Sequence, residues 1–595
     1  MQPITDPRDG DAEDDASSTK QRSLLSLAGS LLAEISLPKL VVAWMWLIGV
    51  PGLLLGVAPL LASVWLSTVS TKVAYAVSGV WSALVLAAVL ALGWFGGRRL
   101  VRIAEGSFWA LTSLAVQPIY ALAREGLRHL AEAVLAKGAG QARRARLRAA
   151  TAAVAGLAVA VPAVLLVVWL WPSTRWSGSM ADLAAPLRLA AAGAANAAVL
   201  IAGYFAAAAA VWGIADATMS QPRTRRFSGA GGESDPDEAS PGTAQPDAMV
   251  RRWRVAHLSD VHIVGERFGF RIECGRAGPR GNGRLHRVLA RLAEIHASAP
   301  LDLVLITGDV TDAGRSAEWA EFFDALAPYP ELVARMLIQP GNHDVNVVDR
   351  ANPARLDLPF SPVKRLRQVR TLSAIAAVQG DRVHVVDLAA GKVGPILGAA
   401  LAPHRDALAR FADRAALRGV PAVADAWARA FPLVLPPATP DGLGVVLLDS
   451  NADTHFSFTN ALGLVTAEQM RGVEIALEAH PAACWLVALH HHVVEYPMPA
   501  KQLSERIGTA LVNGTWFVRR LQRLVPDAVV MHGHRHVDWI GTCGDLTIVS
   551  APSPVMGATN DRDTAFYIHT LARDAQGRLH LLTPERVVIP GVTEE

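Results

Sequence analysis

Four stretches of this chain, near residues 40–66, 73–95, 150–171 and 189–212, are almost free of charge. Each runs for about 20 residues or more, the length that crosses a hydrocarbon core of about 30 Å. No other feature of the sequence restricts folding so strongly, because helices of soluble domains are shorter and amphipathic. Trp65, Trp94, Trp169 and Trp171 lie near the ends of these stretches, where interfacial anchors belong. The expectation is a transmembrane region over 39–219 with about four spans, rather than buried helices of a large soluble protein. A polar tail, 1–38, precedes it. Asp6, Asp9, Asp11, Glu13, Asp14 and Asp15 crowd that tail and leave no basic n-region, so it does not read as a cleaved signal peptide. The apolar share of 51% and the mean hydropathy of +0.28 are high, and the excess lies before Ser220.

Orientation follows from the loops. Between the second and third spans the chain is rich in arginine from Arg98 to Arg148, against Glu105, Glu125 and Glu132. Basic loops stay cytoplasmic. Four spans with that loop inside place both termini, and whatever follows the last span, on the cytoplasmic side. The segment 107–123 is also apolar, and a fifth span there would reverse one end. Its flanking charges and the internal Gln117-Pro118 favour an interfacial or re-entrant helix. Asn196, inside the last span, reads as a hydrogen-bonding partner for a neighbouring helix rather than part of a transport path.

Residues 220–249 are dominated by Gly, Ser, Pro, Asp and Glu. Such a composition buries no core, so this segment is expected to be a flexible linker. A globular domain of ordinary composition is expected over 250–595.

In that domain short apolar runs end in polar clusters. WRVAHL leads to Asp260 and His262, and LDLVLIT to Gly308, Asp309 and Asp312. VARMLIQP leads to Gly341, Asn342, His343 and Asp344. CWLVAL leads to His490, His491 and His492, and DAVVM to Gly533, His534, Arg535 and His536. Each run has the length and apolar content of a buried strand, so each cluster falls in a loop at a strand end. Loops from one edge of a sheet converge on ligands. Asp and His bind borderline-hard divalent metals, an Asp carboxylate bridges two ions, and Asn adds a neutral oxygen. Two such ions clamp a phosphate and generate a hydroxide from bound water for in-line attack.

The blocks D-x-H, G-D-x-x-D, G-N-H-D, a histidine after a strand, and G-H-x-H, in that order, resemble the calcineurin-like metallophosphoesterase superfamily over about 250–595. The resemblance implies an α/β/β/α sandwich and a dinuclear centre. On that basis Asp260, His262 and His536 hold one metal, Asp309 bridges, and Asn342, His490 and His534 hold the other. His490 follows the strand directly; His491 is the alternative. His343 is implied as the general acid or transition-state stabiliser, with Asp344 orienting its ring. Mn, Fe and Zn all suit such ligands. Asp312 reads as a cap or a partner within its own loop.

Two further segments stand out. The Gly- and Arg-rich 265–284 contributes Arg271 and Arg276, and the histidine block contributes Arg535, as candidates for contacting substrate phosphate. The long 346–442 reads as a cap-like, mainly helical insertion, or as helices that only buttress the sandwich. The expected activity is hydrolysis of a phosphodiester or phosphomonoester. A lipid-linked phosphate and a cyclic nucleotide are both open as substrates. A receptor or scaffold that only binds a phosphorylated ligand is the alternative, but it predicts lost ligands and none is lost. The net charge of +3 and the lack of aromatic–basic interleaving argue against nucleic acid. The three cysteines, an odd number without CxxC spacing, argue against a disulfide framework or a structural zinc knuckle.

Overall fold

The computed structural model describes residues 36–76, 116–135, 141–179, 185–225, 227, 249–266, 269–272, 278–348, 355–358, 360–498, 509, 511–557 and 561–591. These fall into two units, Ser36–Met219 and the chain from Ser220 onward.

The first unit is helical. A short helix, Leu37–Trp44, and a π-turn, Met45–Gly49, lead into α1 (Val50–Ala76). The described residues then give α2 (Gln117–Leu135), α3 (Gln141–Leu170) and α4 (Pro186–Thr218). Three segments, Leu37–Thr68, Arg143–Ser173 and Leu187–Thr218, are long and apolar enough to cross a membrane. No more than 33% of any of their apolar windows is buried within the unit, so Leu165, Val168, Trp169 and Leu187 remain exposed. Leaving that surface in water would cost about 25 cal/mol per Å². The expected spans near 40–66, 150–171 and 189–212 fall within these helices. The expected span at 73–95 lies outside the described residues beyond Ala76, as does 107–115 of the doubtful segment. α2 carries Arg124, Glu125 and Arg128 and is not among the three.

Small residues set the helix packing. A Cβ on Gly156 of α3 would strike the Ala209 carbonyl and the Gly213 Cα of α4, the close approach by which helices associate in lipid. Asn196 of α4 is fully buried. Its Nδ2 donates to the carbonyls of Gly56 (2.9 Å) and Arg175 (2.6 Å), and its Oδ1 accepts from the Arg175 amide at 2.9 Å. Its polarity is thus satisfied by neighbouring backbone.

The second unit is an α/β sandwich of two mixed sheets. Its strands are β1 (Arg223–Thr224), β2 (Met249–Leu258), β3 (Leu303–Ile306), β4 (Met336–Ile338), β5 (His384–Asp387), β6 (Lys392–Ile396), β7 (Leu433–Leu435) and β8 (Leu443–Leu447). They continue with β9 (Cys484–Ala488), β10 (Val529–His532), β11 (Trp539–Cys543), β12 (Leu546–Ser550), β13 (Thr564–Asp574), β14 (Leu579–Leu581) and β15 (Glu585–Ile589). The main helices are α5 (Gly283–Ser298), α6 (Ser316–Leu326), α7 (Pro362–Gln379), α8 (Arg405–Arg414), α9 (Val420–Ala430), α10 (Ala467–Ala479) and α11 (Gly514–Leu524). One sheet runs β1, β11, β12, β10, β9, β8, β7, β5, β6; the other runs β14, β13, β2, β3, β4, with β15 on β13. β2, β3 and β4 are parallel, as are β8, β9, β10 and β12. Apolar residues of both sheets, such as Val255, Leu305 and Leu337 on one and Leu447, Leu486 and Met531 on the other, share one core.

Two expectations are corrected here. Residues 346–442 are not a cap. β5, β6 and β7 lie within this stretch and extend the nine-stranded sheet. α7 buries Leu372, Ile375 and Val378 in the shared core. The Gln379 side chain takes the Ile338 amide (2.6 Å) and gives a hydrogen to its carbonyl (3.0 Å), which closes the edge of β4. α8 and α9 pack back on α7 through Phe411, Val423 and Val369. Strands of three to five residues between Ala-rich helices carry too little alternation to stand out in sequence. The segment 220–249 is likewise not all linker. Arg223 and Thr224 pair antiparallel with Thr542 and Gly541 of β11, the Arg225 amide reaches the Ile540 carbonyl, and Phe227 packs on the core. Residues 228–248 lie outside the described part.

Candidate metal centre

Parallel strands all end in the same direction, so the loops after β2, β3, β4, β9 and β10 meet at one edge of the sandwich. They are tied together by backbone. The Asp260 amide donates to the Gly308 carbonyl (3.1 Å), the His262 amide to the Asp309 carbonyl (3.0 Å), and the Gly533 amide to the His490 carbonyl (3.1 Å). Glycine is needed where the loops touch: a Cβ at Gly341 would overlap the amide and carboxylate of Asp309, and one at Gly533 would overlap Ser259 and the Asp260 carboxylate.

These loops bring together all seven expected ligands. Three groups of side chains each converge within 4.8 Å: Asp260, His262 and His536; His262, Asp309 and His343; and Asp309, His490 and His534. Asn342 closes the third group, with its Oδ1 3.0 Å from both His490 Nε2 and His534 Nδ1. Asp309 Oδ2 lies 3.2 Å from His490 Nε2 and 3.7 Å from His262 Nε2, so one carboxylate reaches both halves. Asp260 Oδ1 is 3.3 Å from His536 Nε2. Asp260, His262, Asp309, His534 and His536 all have positive φ, from 43° to 77°. Non-glycine residues in that region cost of order 1–3 kcal/mol each. Five of them in one cluster mark a site that the rest of the fold holds in shape.

The tautomers test whether the cluster suits a cation. Carbonyl oxygens only accept hydrogen bonds, so His490 Nδ1 must donate to Thr307 O (2.8 Å) and His534 Nε2 to Thr509 O (3.1 Å). The other nitrogen of each neutral ring then carries a lone pair. Those two nitrogens are 3.1 Å apart, and Asn342 adds an amide oxygen between them. Both ring nitrogens of His262 are buried without a hydrogen bond. Converging lone pairs without donors repel one another unless a cation lies among them, so these residues fit a divalent metal pair. The carboxylates favour a cation at the same place: burial disfavours charge on His490, but Asp309 and Asp260 outweigh it and push the ring up to about 9, so a proton competes with a metal for that lone pair. Burial likewise opposes ionisation of Asp309, yet His490, His343 and His262 hold its carboxyl well below the usual range. Asp260 is lowered too, its burial outweighed chiefly by His536. Burial and the neighbouring imidazoles lower both His491 and His534.

The remaining predicted residues are placed as follows. His491 belongs to none of the three groups; its Nδ1 meets Ser450 Oγ at 2.9 Å. His492 stacks on Tyr496. Asp344 does not orient the His343 ring, contrary to expectation. It is the third residue of the short helix Asn342–Val345, and its carboxylate turns back to the Gly341 amide (2.9 Å), as helix-capping geometry directs. It also accepts from the amide (2.8 Å) and hydroxyl (2.6 Å) of Thr311. The ring is held instead by the Asp312 carbonyl, 2.8 Å from Nδ1. Arg271 is fully buried and binds the carbonyls of Pro279 (3.0 Å) and Gly281 (2.9 Å), bracing its own loop rather than presenting its charge to a ligand. Arg276 lies outside the described residues. Arg535 faces Glu495, with Nη1 3.6 Å from Oε2, and lies over the Tyr496 ring.

Two contributors were not anticipated. Asp312 Oδ1 sits 3.4 Å from His262 Nδ1, while its Oδ2 accepts from the Ile272 amide at 2.8 Å. The G-D-x-x-D spacing was the available signal, since it puts Asp312 in the same loop as Asp309. Ser450 Oγ takes the amides of His490 (3.2 Å) and His491 (3.1 Å). Forty residues of chain separate it from them, and no sequence signal pointed to it.

Residues 254–399 match the family model described as calcineurin-like phosphoesterase. That span includes the first three motif blocks; the last two are joined to them by the geometry above. Solved structures similar to the chain include a dimetal phosphatase from Danio rerio, at 12% identity and a TM-score of 0.33, covering 57% of this chain and 99% of that one. They also include the NAD nucleotidase of Haemophilus influenzae, at 11% identity and a TM-score of 0.28, where the match takes 57% of this chain and 50% of that one. No curated protein matches the chain in sequence. By the family match, residues 254–399 of the C-terminal unit are a calcineurin-like phosphoesterase region. The unit's clustered histidines and aspartates are consistent with a dimetal site.

Proposed function

We propose that this protein is a membrane-anchored phosphoesterase that hydrolyses a phosphodiester or phosphomonoester, with its catalytic domain in the cytoplasm. The observation that carries the reading is the convergence of lone pairs around Asp309. Asp260, His262, His536 and Asp309 would hold one ion, and Asp309, Asn342, His490 and His534 the other. Bound there, two divalent ions would supply Lewis acidity toward the phosphate and lower the pKa of a water. The chain does the rest. Asp309 and Asp260 bring negative charge that a metal pair needs, and Asn342 adds an oxygen without further charge. His343 donates Nδ1–H to the Asp312 carbonyl, which leaves its other nitrogen to hold a proton for the departing oxygen. General acid catalysis of this kind contributes roughly 10²- to 10⁴-fold. Arg535, between two ligands in sequence, is the described candidate for a substrate phosphate. The substrate is an ester of phosphate, either lipid-linked or a soluble cyclic nucleotide.

The test uses the full chain in detergent, loaded with Mn, against bis-p-nitrophenyl phosphate and p-nitrophenyl phosphate. Hydrolysis that falls in Asn342→Ala and His343→Ala supports the reading. Equal rates in all three proteins would sink the site assignment, and no hydrolysis in any would favour a ligand-binding scaffold. Cytoplasmic orientation is tested separately by reporter fusions after Gly232; an extracytoplasmic signal there contradicts it.

A further inference from the structure

Helix α11 has two faces with different uses. Phe517, Val518 and Leu521 are buried against the sandwich. Trp516, Arg519, Arg520 and Arg523 recur at spacings of three, four and seven, which line them up on the opposite side. Trp516 is 42% exposed although it is a large aromatic, and Arg523 is exposed beside it. Arg520 is paired to Glu474 through Nε at 2.7 Å. No acidic residue lies on this stripe.

The helix is also joined to the metal centre. Thr509, just before it, accepts the ring hydrogen of His534 at 3.1 Å. The Val512 amide donates to Gly463 at 2.7 Å. The Asn513 side chain binds the amide (3.1 Å) and carbonyl (2.6 Å) of Val465. The N-terminal end of α11 is therefore tied to the edge of the centre.

We propose that this face docks on an anionic lipid surface. An exposed Trp in line with Arg519 and Arg523, on a helix that carries no acidic residue of its own, has the chemistry of the headgroup layer, where the ring takes the boundary and guanidinium groups meet phosphate. Helices of the first unit that are long and apolar enough to cross a membrane tether a bilayer to this same chain. Docking would present the centre to phosphate esters at headgroup depth, such as a lipid-linked phosphate. That last step rests on the phosphoesterase reading; the docking itself does not.

The full chain would be reconstituted in phosphatidylcholine nanodiscs with and without phosphatidylglycerol, each with brominated acyl chains. Subtracting the emission of Trp516→Phe isolates the signal of Trp516. It should be quenched by bromine in discs containing phosphatidylglycerol. The pair Arg519→Gln and Arg523→Gln should lower the docked-to-free ratio about 25-fold, fivefold for each charge removed. Hydrolysis of p-nitrophenyl phosphate in detergent should stay unchanged in that variant, which checks its fold. No quenching of Trp516, or quenching that survives loss of both arginines, overturns the proposal. Protection of Trp516 from acrylamide without bromine quenching also overturns it, since a protein or a second copy would then cover the face. Quenching needs neither metal nor turnover, so these outcomes are distinct from failure of the enzymatic reading.

Discussion

Replacing Asp312 should weaken metal binding although Asp312 is not one of the seven proposed ligands. Its carboxylate faces His262 Nδ1 at 3.4 Å and accepts from the Ile272 amide at 2.8 Å, while its carbonyl holds the His343 ring at 2.8 Å. Asp312→Asn keeps the carbonyl and an oxygen for Ile272 but removes the negative charge opposite His262. Asp312→Ala removes both side-chain interactions. Outer partners of metal-binding histidines are generally worth 10- to 100-fold in affinity, so about tenfold is expected for Asn and about 100-fold for Ala. The Ala variant also leaves the buried Ile272 amide without its acceptor, which costs about 1–3 kcal/mol. Mn titration followed by electron paramagnetic resonance gives the affinity, and thermal unfolding in detergent gives the stability. Both variants binding Mn as tightly as the parent would refute the idea that Asp312 fixes the His262 ring. Equal affinity loss in Asn and Ala would place the whole effect on charge.

Gly341→Ala should abolish metal binding and cost about 1–3 kcal/mol in stability, because its Cβ would overlap Asp309; metal content and a melting curve check both. Glu318 gives a pH dependence. It is buried, and burial raises its carboxyl from 4.5 to about 7. The folded protein therefore favours the protonated form. That stabilisation is complete below about pH 4.5 and is lost as pH rises through about 7, amounting to roughly 3 kcal/mol at 1.36 kcal/mol per unit. Glu318→Gln should flatten that part of the melting-temperature profile, and an unchanged slope counts against it. In the helical unit, Asn196→Ala leaves the Gly56 and Arg175 backbone groups without their partner. At about 0.6–2 kcal/mol per hydrogen bond between helices in membranes, the detergent melting temperature should fall measurably.

The site was more legible in the sequence than the framework that shapes it. Asp260, Asp309, Asn342 and the histidines after β9 and β10 follow apolar runs directly, and a polar cluster at a strand end is a local pattern. Lengths and charge gaps likewise exposed the helices around 40–66, 150–171 and 189–212. Non-local choices were not readable. β5, β6 and β7 gain their identity from neighbours in the sheet, not from their own few residues. β1 is a strand only because β11 offers an open edge. Asp344 could face the His343 ring or the amides of its own turn, and helix-capping geometry decided for the latter. Arg271 carries a charge that in sequence suggests an anion, yet the carbonyls of its own loop take it. The positive φ values at five site residues were not readable either: Asp and His reach that region more often than most side chains, but the surrounding loops decide where they do.

The most direct test of the account is the metal content of the purified full chain, measured by inductively coupled plasma mass spectrometry after Mn loading, beside Asp309→Ala. Asp309 reaches both halves of the cluster, at 3.2 Å from His490 and 3.7 Å from His262. The account expects a pair of ions per chain in the parent, and loss of both ions together with hydrolysis in the variant. Retention of both ions without Asp309, or a parent that binds none, would contradict it.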